Sequence, residues 1–204
     1  MTDREYRQLS LADLDAMSQV LAQSFEEDPL VSYILPNKKI RVKTITKFFR
    51  AMGRLNIRAG SAFGVSDPLE GVAVWSFPNK PEASATPKDL LTFVPLLFSS
   101  YVIGAQRARA IFRQIDANHK KYADEPHFYL DNLGVLASAR GKGLSSKLIR
   151  PFLEMADSQK VIAYTDTVTK SNVPLYEHFG FELIETSPVA GTGITVYALR
   201  RPVH

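Results

Sequence analysis

The sequence predicts an α/β protein of the α+β type, with a mixed, mostly antiparallel central sheet flanked by helices. Two observations carry this prediction. Apolar segments at 62–77 and 181–199 are each interrupted by a turn-forming stretch, which is typical of antiparallel hairpins. Between them, 128–167 reads as strand, glycine turn, helix and strand, and the flanking hairpins argue against a doubly wound parallel sheet.

The first sixty residues are predicted to be mainly helical. A short strand at Glu5–Ser10 precedes a helix at Leu11–Phe25, for which Ser10 is the expected N-cap. The pair Asp28–Pro29 is expected to end this helix. A second helical region covers 37–60, because its apolar residues recur at helical spacing.

A hairpin and a helical insertion come next. Ala62–Ser66 and Val72–Phe77 are the predicted strands of the hairpin. The loop after them, at 78–87, is rich in proline, serine and alanine. The segment Leu90–Tyr122 is predicted as one long helix or two shorter ones, and the proline and glycine at positions 95 and 104 are the expected breaks.

The rest of the chain alternates between strands and helices. The predicted elements are strands at Phe128–Val135 and Val161–Thr167, helices at Leu144–Asp157 and Asn172–His178, and a final strand pair at Phe181–Ile184 and Ile194–Leu199. Pro151 should kink the first of these helices, and Gly180 suits the C′ position of the second. The chain is expected to form one domain, 1–204, with a helical insertion at about 84–124.

Composition excludes several classes of protein. The 204 residues contain no cysteine, so disulfide frameworks, thiolate zinc sites and a cysteine nucleophile are excluded. The formal net charge of +4 comes from scattered basic residues, which suits a small anionic ligand and is too weak for nucleic-acid binding. The N-terminal segment lacks the apolar stretch of a signal peptide, and no apolar run reaches membrane-spanning length. A cytoplasmic protein that binds neither nucleic acid nor membranes is therefore expected.

The glycine turn at 140–145, Arg-Gly-Lys-Gly-Leu-Ser, joins a predicted strand to a helix, so main-chain N–H groups converge at a helix N-terminus. That arrangement suits a phosphate group. A P-loop is excluded, because the glycine and the serine or threonine that it requires are absent. A dinucleotide fingerprint would use Gly141, Gly143 and Ser146, with Asp166 near the ribose. It stays open as an alternative, together with a turn that only starts a helix.

The turn and the segments around it resemble the GNAT superfamily of acyl-CoA-dependent N-acyltransferases. The superfamily motif is arginine or glutamine, two residues, glycine, one residue, then glycine or alanine, and Arg140, Gly143 and Ser145 occupy these places. Ser145 departs from the motif by adding a hydroxymethyl group where the backbone approaches a pyrophosphate. Residues 172–181 resemble the second signature of the superfamily, and the resemblance as a whole spans residues 72–202. Within the superfamily, the chain resembles the puromycin N-acetyltransferase-like branch most.

The resemblance implies a sheet that splays into a V between the strand before the glycine turn and the next strand. It also implies acetyl-CoA as co-substrate. No metal site is expected, because His119, His178 and His204 lack partners at ligand spacing. The pyrophosphate suits the N–H groups of the turn, the helix dipole and the side chains of Arg140 and Lys142, while pantetheine would add to the sheet like a strand. The residues expected to bind coenzyme A are Leu133, Gly134, Val135, Arg140, Gly141, Lys142, Gly143, Leu144, Ser145, Asn172 and Tyr176.

The implied reaction is direct attack of a primary amine on the thioester in a ternary complex. By resemblance, the N–H group of Val135 donates to the oxyanion that forms. Tyr176 is expected to protonate the leaving thiolate. The candidates for the general base are Asp131 and His127, because alternation in a regular strand places both on one face together with Tyr129.

The acceptor is expected to be a small-molecule amine rather than a protein lysine, because the long insertion should narrow the cleft. Specificity is expected to come from the first two helices, from Trp75 and Phe77, and from the apolar segment Leu90–Val102. A homodimer is a further expectation, since folds of this kind often dimerise. A non-catalytic acyl-CoA-binding module, acting as a sensor or interaction domain on the same fold, stays open as the alternative.

Overall fold

The computed structural model describes residues 6–78, 85–97 and 100–203, without the side chain of Pro95. The start of the predicted first strand, at Glu5, lies outside the described residues, as does most of the loop predicted at 78–87. Within the described part of the chain, no helix combines the length and the apolar composition needed to cross a membrane.

Among the described residues, seven strands form one sheet. They are β1 (Arg7–Gln8), β2 (Ala62–Val65), β3 (Gly71–Ser76), β4 (His127–Val135), β5 (Ile162–Thr167), β6 (Glu182–Val189) and β7 (Ile194–Arg201). Their order in the sheet is β1-β2-β3-β4-β5-β7-β6. Only β4 and β5 are parallel, and every other neighbouring pair is antiparallel. The predicted mixed, mostly antiparallel sheet is thereby confirmed.

Helices flank this sheet. In the described segments they are α1 (Leu14–Ser24), α2 (Pro29–Ile34), α3 (Lys38–Arg58), α4 (Pro87–Leu97), α5 (Ser100–Arg107), α6 (Arg109–Tyr122), α7 (Leu144–Gln159) and α8 (Val173–His178). Pro151 lies inside α7, which continues on both sides of it. The long helix and the strand that follow the glycine turn are therefore placed as predicted.

Helix α2 was not predicted, and Asp28 is the reason that it forms. The Asp28 carboxylate accepts hydrogen bonds from the N–H groups of Leu30 and Val31 at 2.9 and 3.2 Å, and Pro29 occupies the first helical position. Proline suits that position because its missing N–H would have no acceptor there. Asp28–Pro29 therefore starts a new helix in addition to following α1. Ser10 occupies the N-cap of a short 3₁₀ turn that precedes α1.

The predicted breaks in the insertion are wrong. Helix α4 continues through position 95 to Leu97, and Gly104 lies within α5. Gly104 lets α5 approach α2 closely, because an added Cβ would overlap the carbonyl oxygen of Ile34. The boundary between α5 and α6 falls instead at Ala108, whose side chain is buried. At Gly104, tertiary packing rather than a local breaking tendency therefore decides the backbone conformation.

The sheet separates two apolar layers, and β3 is buried between them. Alternate residues of β3 pack with α1, α2 and α3 on one face and with α7 on the other. Trp75 faces α7, where its indole N–H donates to the carbonyl of Leu148 at 3.1 Å and its ring stacks on Phe152 at 5.2 Å. The ring centroid of Phe77 lies 6.1 Å from that of Phe152. Both side chains belong to the core beneath α7, so the prediction that they line an acceptor pocket is wrong.

Candidate active site

A bulge in β4 opens the V between β4 and β5. Two successive residues of β3 pair with Asn132 and Leu130, so Asp131 is the extra residue of the bulge. Pairing between β4 and β5 stops at Leu130, although β4 continues to Val135. At the point of separation, the Thr165 hydroxyl donates to the carbonyl of Leu130 at 2.9 Å. The predicted splay between these strands is thereby confirmed.

Beyond the bulge, β4 turns backbone groups towards the V. The N–H of Leu136 donates to the carbonyl of Glu70 at 2.9 Å, on the side of β3. Successive N–H groups of a strand point to opposite edges, so those of Leu133 and Val135 point into the V. An extended molecule with amide groups can add to such an edge. Gly134 faces α1, where an added Cβ would crowd the helix.

A cavity of about 940 Å³ fills the V and extends under α1, α2 and α3. One end of it reaches the glycine turn, and the middle runs along β4, β5 and α8. The other end carries aromatic side chains, namely Phe25, Phe48, Phe49, Tyr101 and Phe112. Parts of the chain that are distant in sequence therefore meet around one continuous space.

The glycine turn forms the N-terminal end of α7. Gly141 and Gly143 have φ angles of +79° and +74°, in the region that favours glycine. An added Cβ at either position would meet no atom within 4 Å, so backbone conformation rather than lack of room requires glycine there. The N–H groups of Leu144 and Ser145 begin α7 and have no acceptor within the helix. With the helix dipole they form a site for an anion.

The side chains of the turn point in different directions. Arg140 is exposed and lines the cavity. Lys142 is also exposed, but its ammonium group lies 3.2 Å from the Glu70 carboxylate and outside the cavity wall. Ser145 lines the cavity together with Ser146, whose hydroxyl accepts from the guanidinium of Arg150 at 2.7 Å. The departure from the family motif at 145 therefore places a hydroxyl group in the wall beside the N–H groups.

Tyr176 lies on α8 and lines the middle of the cavity. Its side chain is buried, and its ring meets Phe181 edge-on at 6.0 Å. Burial raises the pKa of Tyr176 to about 12, while a hydrogen bond with Thr165 acts in the opposite direction. The phenol is therefore protonated at neutral pH and can donate a proton.

Asn172 occupies the N-cap position of α8, but its side chain does not cap the helix. Its amide group instead donates to the hydroxyl of Thr167 at 3.5 Å, across the end of β5. The same hydroxyl accepts the N–H of Thr169 at 3.1 Å. Asn172 thereby orders the segment between β5 and α8 at the cavity wall.

Two carboxylates line the cavity at the V, Asp131 on β4 and Asp166 on β5. The Tyr129 hydroxyl donates to an oxygen of Asp166 at 3.0 Å. Burial raises the pKa of Asp166 to about 7, and the charge of Asp131 adds to this effect, while the hydrogen bond from Tyr129 opposes it. Because a group that titrates near neutral pH exchanges protons readily, Asp166 suits the role of a proton acceptor.

Asp28 is a third carboxylate in the cavity wall. Burial raises its pKa, while the hydrogen bonds from Val31, Thr169 and Leu30 lower it. The Thr169 hydroxyl donates to its second carboxylate oxygen at 3.1 Å. Asp28 therefore both caps α2 and ties that helix to the segment after β5.

His127 lies at the other end of β4 and is outside the cavity wall. Its Nε2 is 2.7 Å from Nε2 of His119, and its Nδ1 is 2.7 Å from the carbonyl oxygen of Glu125. A carbonyl only accepts, so Nδ1 carries a proton and the two rings share another between their Nε2 atoms. The structure does not bring His127 together with Asp131 and Tyr176. In the described segments, no group of three or more His, Cys, Asp or Glu residues is arranged to hold a metal ion.

Sequence reasoning missed the roles of Asp166 and Asp28 in this site. Asp166 was considered only as a partner of a nucleotide ribose, because the bulge that brings it opposite Asp131 has no mark in the sequence pattern. A signal for Asp28 was present, since aspartate directly before proline is a frequent start of a helix. The predicted residues Leu133, Val135, Arg140, Ser145, Asn172 and Tyr176 do meet around one cavity.

Known proteins share this sequence pattern and this fold. Residues 72–181 match the model of the acetyltransferase (GNAT) family. An uncharacterized N-acetyltransferase of Schizosaccharomyces pombe is 24% identical over 189 residues, which cover 86% of this chain and 73% of that protein.

Two solved structures show the same fold at low sequence identity. One is described as histone acetyltransferase HPA2 and related acetyltransferase from Corynebacterium glutamicum, with a TM-score of 0.67, 19% identity and coverage of 98% of this chain and 96% of that chain. The other is a polyamine N-acetyltransferase from Drosophila melanogaster, with a TM-score of 0.60 and 13% identity. The match covers 97% of this chain and 99% of that chain. Since the family model matches more than half of its residues, the chain belongs to the acetyltransferase (GNAT) family.

Proposed function

We propose that the protein transfers an acetyl group from acetyl-CoA to the primary amine of a small molecule, by direct attack in a ternary complex. The observation that carries the proposal is the continuity of the 940 Å³ cavity, which runs from the N-terminal end of α7 to the carboxylates at the V and on to the aromatic end under α1, α2 and α3. A donor bound at one end can therefore meet an amine bound at the other. We also propose that the chain belongs to the puromycin N-acetyltransferase-like branch, which its sequence resembles.

The donor half rests on how well these residues fit coenzyme A. Its pyrophosphate suits the N–H groups at 141–145 and the guanidinium of Arg140. The amides of pantetheine suit the backbone groups of Leu133 and Val135, which point into the V. Lys142 can reach a further phosphate, because its exposed ion pair with Glu70 costs little to exchange. Family membership supports acetyl-CoA as the donor.

Tyr176 serves as the proton donor in this proposal. The amine nitrogen attacks the carbonyl carbon of the thioester, and the N–H of Val135 donates to the oxygen that becomes negatively charged. When the C–S bond breaks, the thiolate takes the phenolic proton of Tyr176, and the nitrogen, which carries a surplus proton once it is bonded to the carbonyl carbon, gives that proton to the phenolate. The raised pKa of Tyr176, about 12, keeps that proton in place until the thiolate forms.

The general base is drawn from the carboxylates of the V. An amine acceptor enters mainly as its ammonium form at neutral pH, and it must lose a proton before it can attack. Asp166 suits this step best, because its pKa lies near neutrality and Tyr129 holds its carboxylate in place. In this proposal, the negative charge of Asp131 attracts the ammonium group, and its carboxylate serves as a second base. His127 has the least support of the three, since it lies outside the cavity wall.

A small amine is favoured because helices close over the acceptor end. Side chains from α1, α2 and α3 line that end, and Tyr101 of the insertion adds to it. The carboxylates of Asp28, Asp131 and Asp166 complement a positive charge. The Drosophila neighbour is described as an enzyme that forms N-acetylagmatine, which also supports an amine as acceptor.

A thiol-release assay with acetyl-CoA and a panel of primary amines tests the proposal. Release of thiol together with an equal amount of acetylated amine, identified by its mass, is the expected result. If CoA binds in calorimetry and no amine is acetylated, the proposal is wrong and a non-catalytic acyl-CoA-binding module is favoured. A thermal shift with NAD(P) and none with CoA would reject the donor itself.

A further inference from the structure

A second cavity, of about 420 Å³, adjoins the acceptor end of the first one. It lies among α3, α4, α5 and the start of α6, and its walls include Phe93, Leu96 and Val102. Phe48 and Tyr101 line both cavities, so the two spaces share a wall. A volume of this size lies within the range of small-molecule sites.

An unbroken series of aromatic rings connects the two cavities. The ring of Phe25 lies 5.5 Å from that of Phe49, and Phe49 lies 5.5 Å from Phe48. Phe48 then stacks on Tyr101, with ring centroids 5.0 Å apart and an interplanar angle of 23°. Because all four rings line the first cavity and the last two also line the second, an apolar surface continues from one to the other.

The two cavities differ in charge. The first carries the carboxylates of Asp131 and Asp166 at the V. Among the described residues that line the second, none is acidic, and the polar ones, Gln106 and Arg109, are exposed at its rim. A cationic group would lose its water against apolar walls there and would be repelled by Arg109. The combined space therefore suits a molecule that is positive at one end and uncharged at the other.

We propose that the second cavity binds the apolar tail of the acceptor, so that the acceptors of this protein are primary amines with a long, uncharged alkyl or arylalkyl tail. The ammonium end lies at Asp131 and Asp166, and the tail reaches the second cavity when the side chains of Phe48 and Tyr101, which form the shared wall, move apart. This inference rests on the proposed acetyl transfer. It adds the class of acceptor and the residues that select it.

The wild-type protein is tested with a series of n-alkylamines from ethylamine to decylamine. We expect kcat/KM to rise about fourfold for each methylene that becomes buried, the factor that corresponds to about 0.8 kcal/mol. 1,8-Diaminooctane is the matched comparison for octylamine, because its second ammonium group would have to enter the second cavity. Octylamine is expected to be preferred by about tenfold or more.

Three variants locate the effect in the second cavity. Ala105 lines that cavity and not the first, so Ala105→Phe fills it and should collapse the ratio of kcat/KM for octylamine over ethylamine. Ala117→Phe is the control, because Ala117 is exposed on α6 and lines neither cavity, and it should keep the wild-type ratio. Val102→Asp places a carboxylate in the second cavity and should raise kcat/KM for 1,8-diaminooctane above the wild-type value. This gain separates a local effect from a folding defect.

The outcomes separate this inference from the function on which it rests. Acetylation of ethylamine and octylamine with equal kcat/KM would overturn the inference and leave the acetyl transfer standing. An Ala105→Phe protein that loses activity with octanoyl-CoA, but not with octylamine, would assign the second cavity to the acyl chain and also overturn it. If no amine of the series is acetylated, both the inference and the proposed function are wrong.

Discussion

Among single residues, Asp166 has the environment that most affects how the site responds to pH. Its carboxylate accepts a hydrogen bond from the Tyr129 hydroxyl and lies near Asp131. Burial raises the pKa of Asp166 to about 7. Below that pH it is neutral and cannot accept a proton. Above that pH it is charged and can take one from an ammonium group, whereas Tyr176, with a pKa of about 12, stays protonated throughout.

The first prediction therefore concerns the pH profile of kcat. We expect kcat to rise with pH and to level off above about 7, with no decline due to Tyr176 below about pH 10. Asp166→Asn should lower kcat by about 10²-fold or more and remove the rise near pH 7. Asp124→Asn, at an exposed position outside the cavity, is the control and should keep the wild-type profile. A rise near pH 7 that persists in Asp166→Asn would show that another group is the base.

Among the elements, the glycine turn at the start of α7 is the one that we propose to bind the phosphates of the donor. Gly143 needs a positive φ for its N–H and those of the following residues to point towards the same anion. The chain offers a matched position in Gly191, which also has a φ of +74° and open space around it, but lies between β6 and β7. The backbone strain of a substitution can thus be separated from its effect on binding.

The second prediction compares Gly143→Ala with Gly191→Ala. Both should lower the free energy of unfolding by about 1 kcal/mol, because alanine disfavours this backbone conformation. Only Gly143→Ala should weaken CoA binding in calorimetric titration, by about tenfold. The substitution would turn the N–H groups of the glycine turn away from the phosphates. Equal CoA affinities in the two variants would remove the turn from the donor site.

The third prediction concerns the contact between α5 and α2. Gly104→Ala should lower the free energy of unfolding by about 2–3 kcal/mol, because its Cβ would overlap the backbone of Ile34. Gly53→Ala is the control within α3, where an added Cβ would meet only the flexible ends of Leu14 and Met17. It should change stability little, since alanine also favours the helix. Chemical denaturation measures both, and a Gly104→Ala protein as stable as the Gly53→Ala protein would contradict the close approach.

The elements also show how far the sequence could predict this structure. The strand, glycine turn and helix at 128–157 have strong local signals, namely apolar periodicity and paired glycines, and they form as predicted. The breaks expected at positions 95 and 104 do not form, because contacts such as that of Gly104 with α2 override local breaking tendencies, whereas α6 ends at Tyr122 as predicted. The bulge at Asp131 depends on the register with β3, which no local pattern encodes. For that reason Tyr176 could be found from its motif, whereas the placement of Asp131 and Asp166 in one cavity could not.

In the whole molecule, the site exists only because distant parts of the chain enclose one cavity. Helices α1, α2 and α3 cover the proposed acceptor side of the cavity, and β4 and β5 form its walls. The N-terminal end of α7 supplies the proposed anion site, and α8 carries Tyr176. In the proposed reaction, the donor enters the V from one side and the amine enters it from the other. We therefore propose that this chain uses Tyr176 in an acetyl transfer between two molecules held in that cavity.

The most direct measurement is the rate of thiol release from acetyl-CoA with an amine acceptor, taken with the dissociation constant of CoA, for the wild type and two variants. We predict that Tyr176→Phe lowers kcat by about 100-fold and changes the dissociation constant by no more than about twofold. Tyr197→Phe, on β7 and outside the cavity wall, should match the wild type in both. A Tyr176→Phe protein that keeps the wild-type kcat, or that loses CoA affinity as much as kcat, would contradict the account.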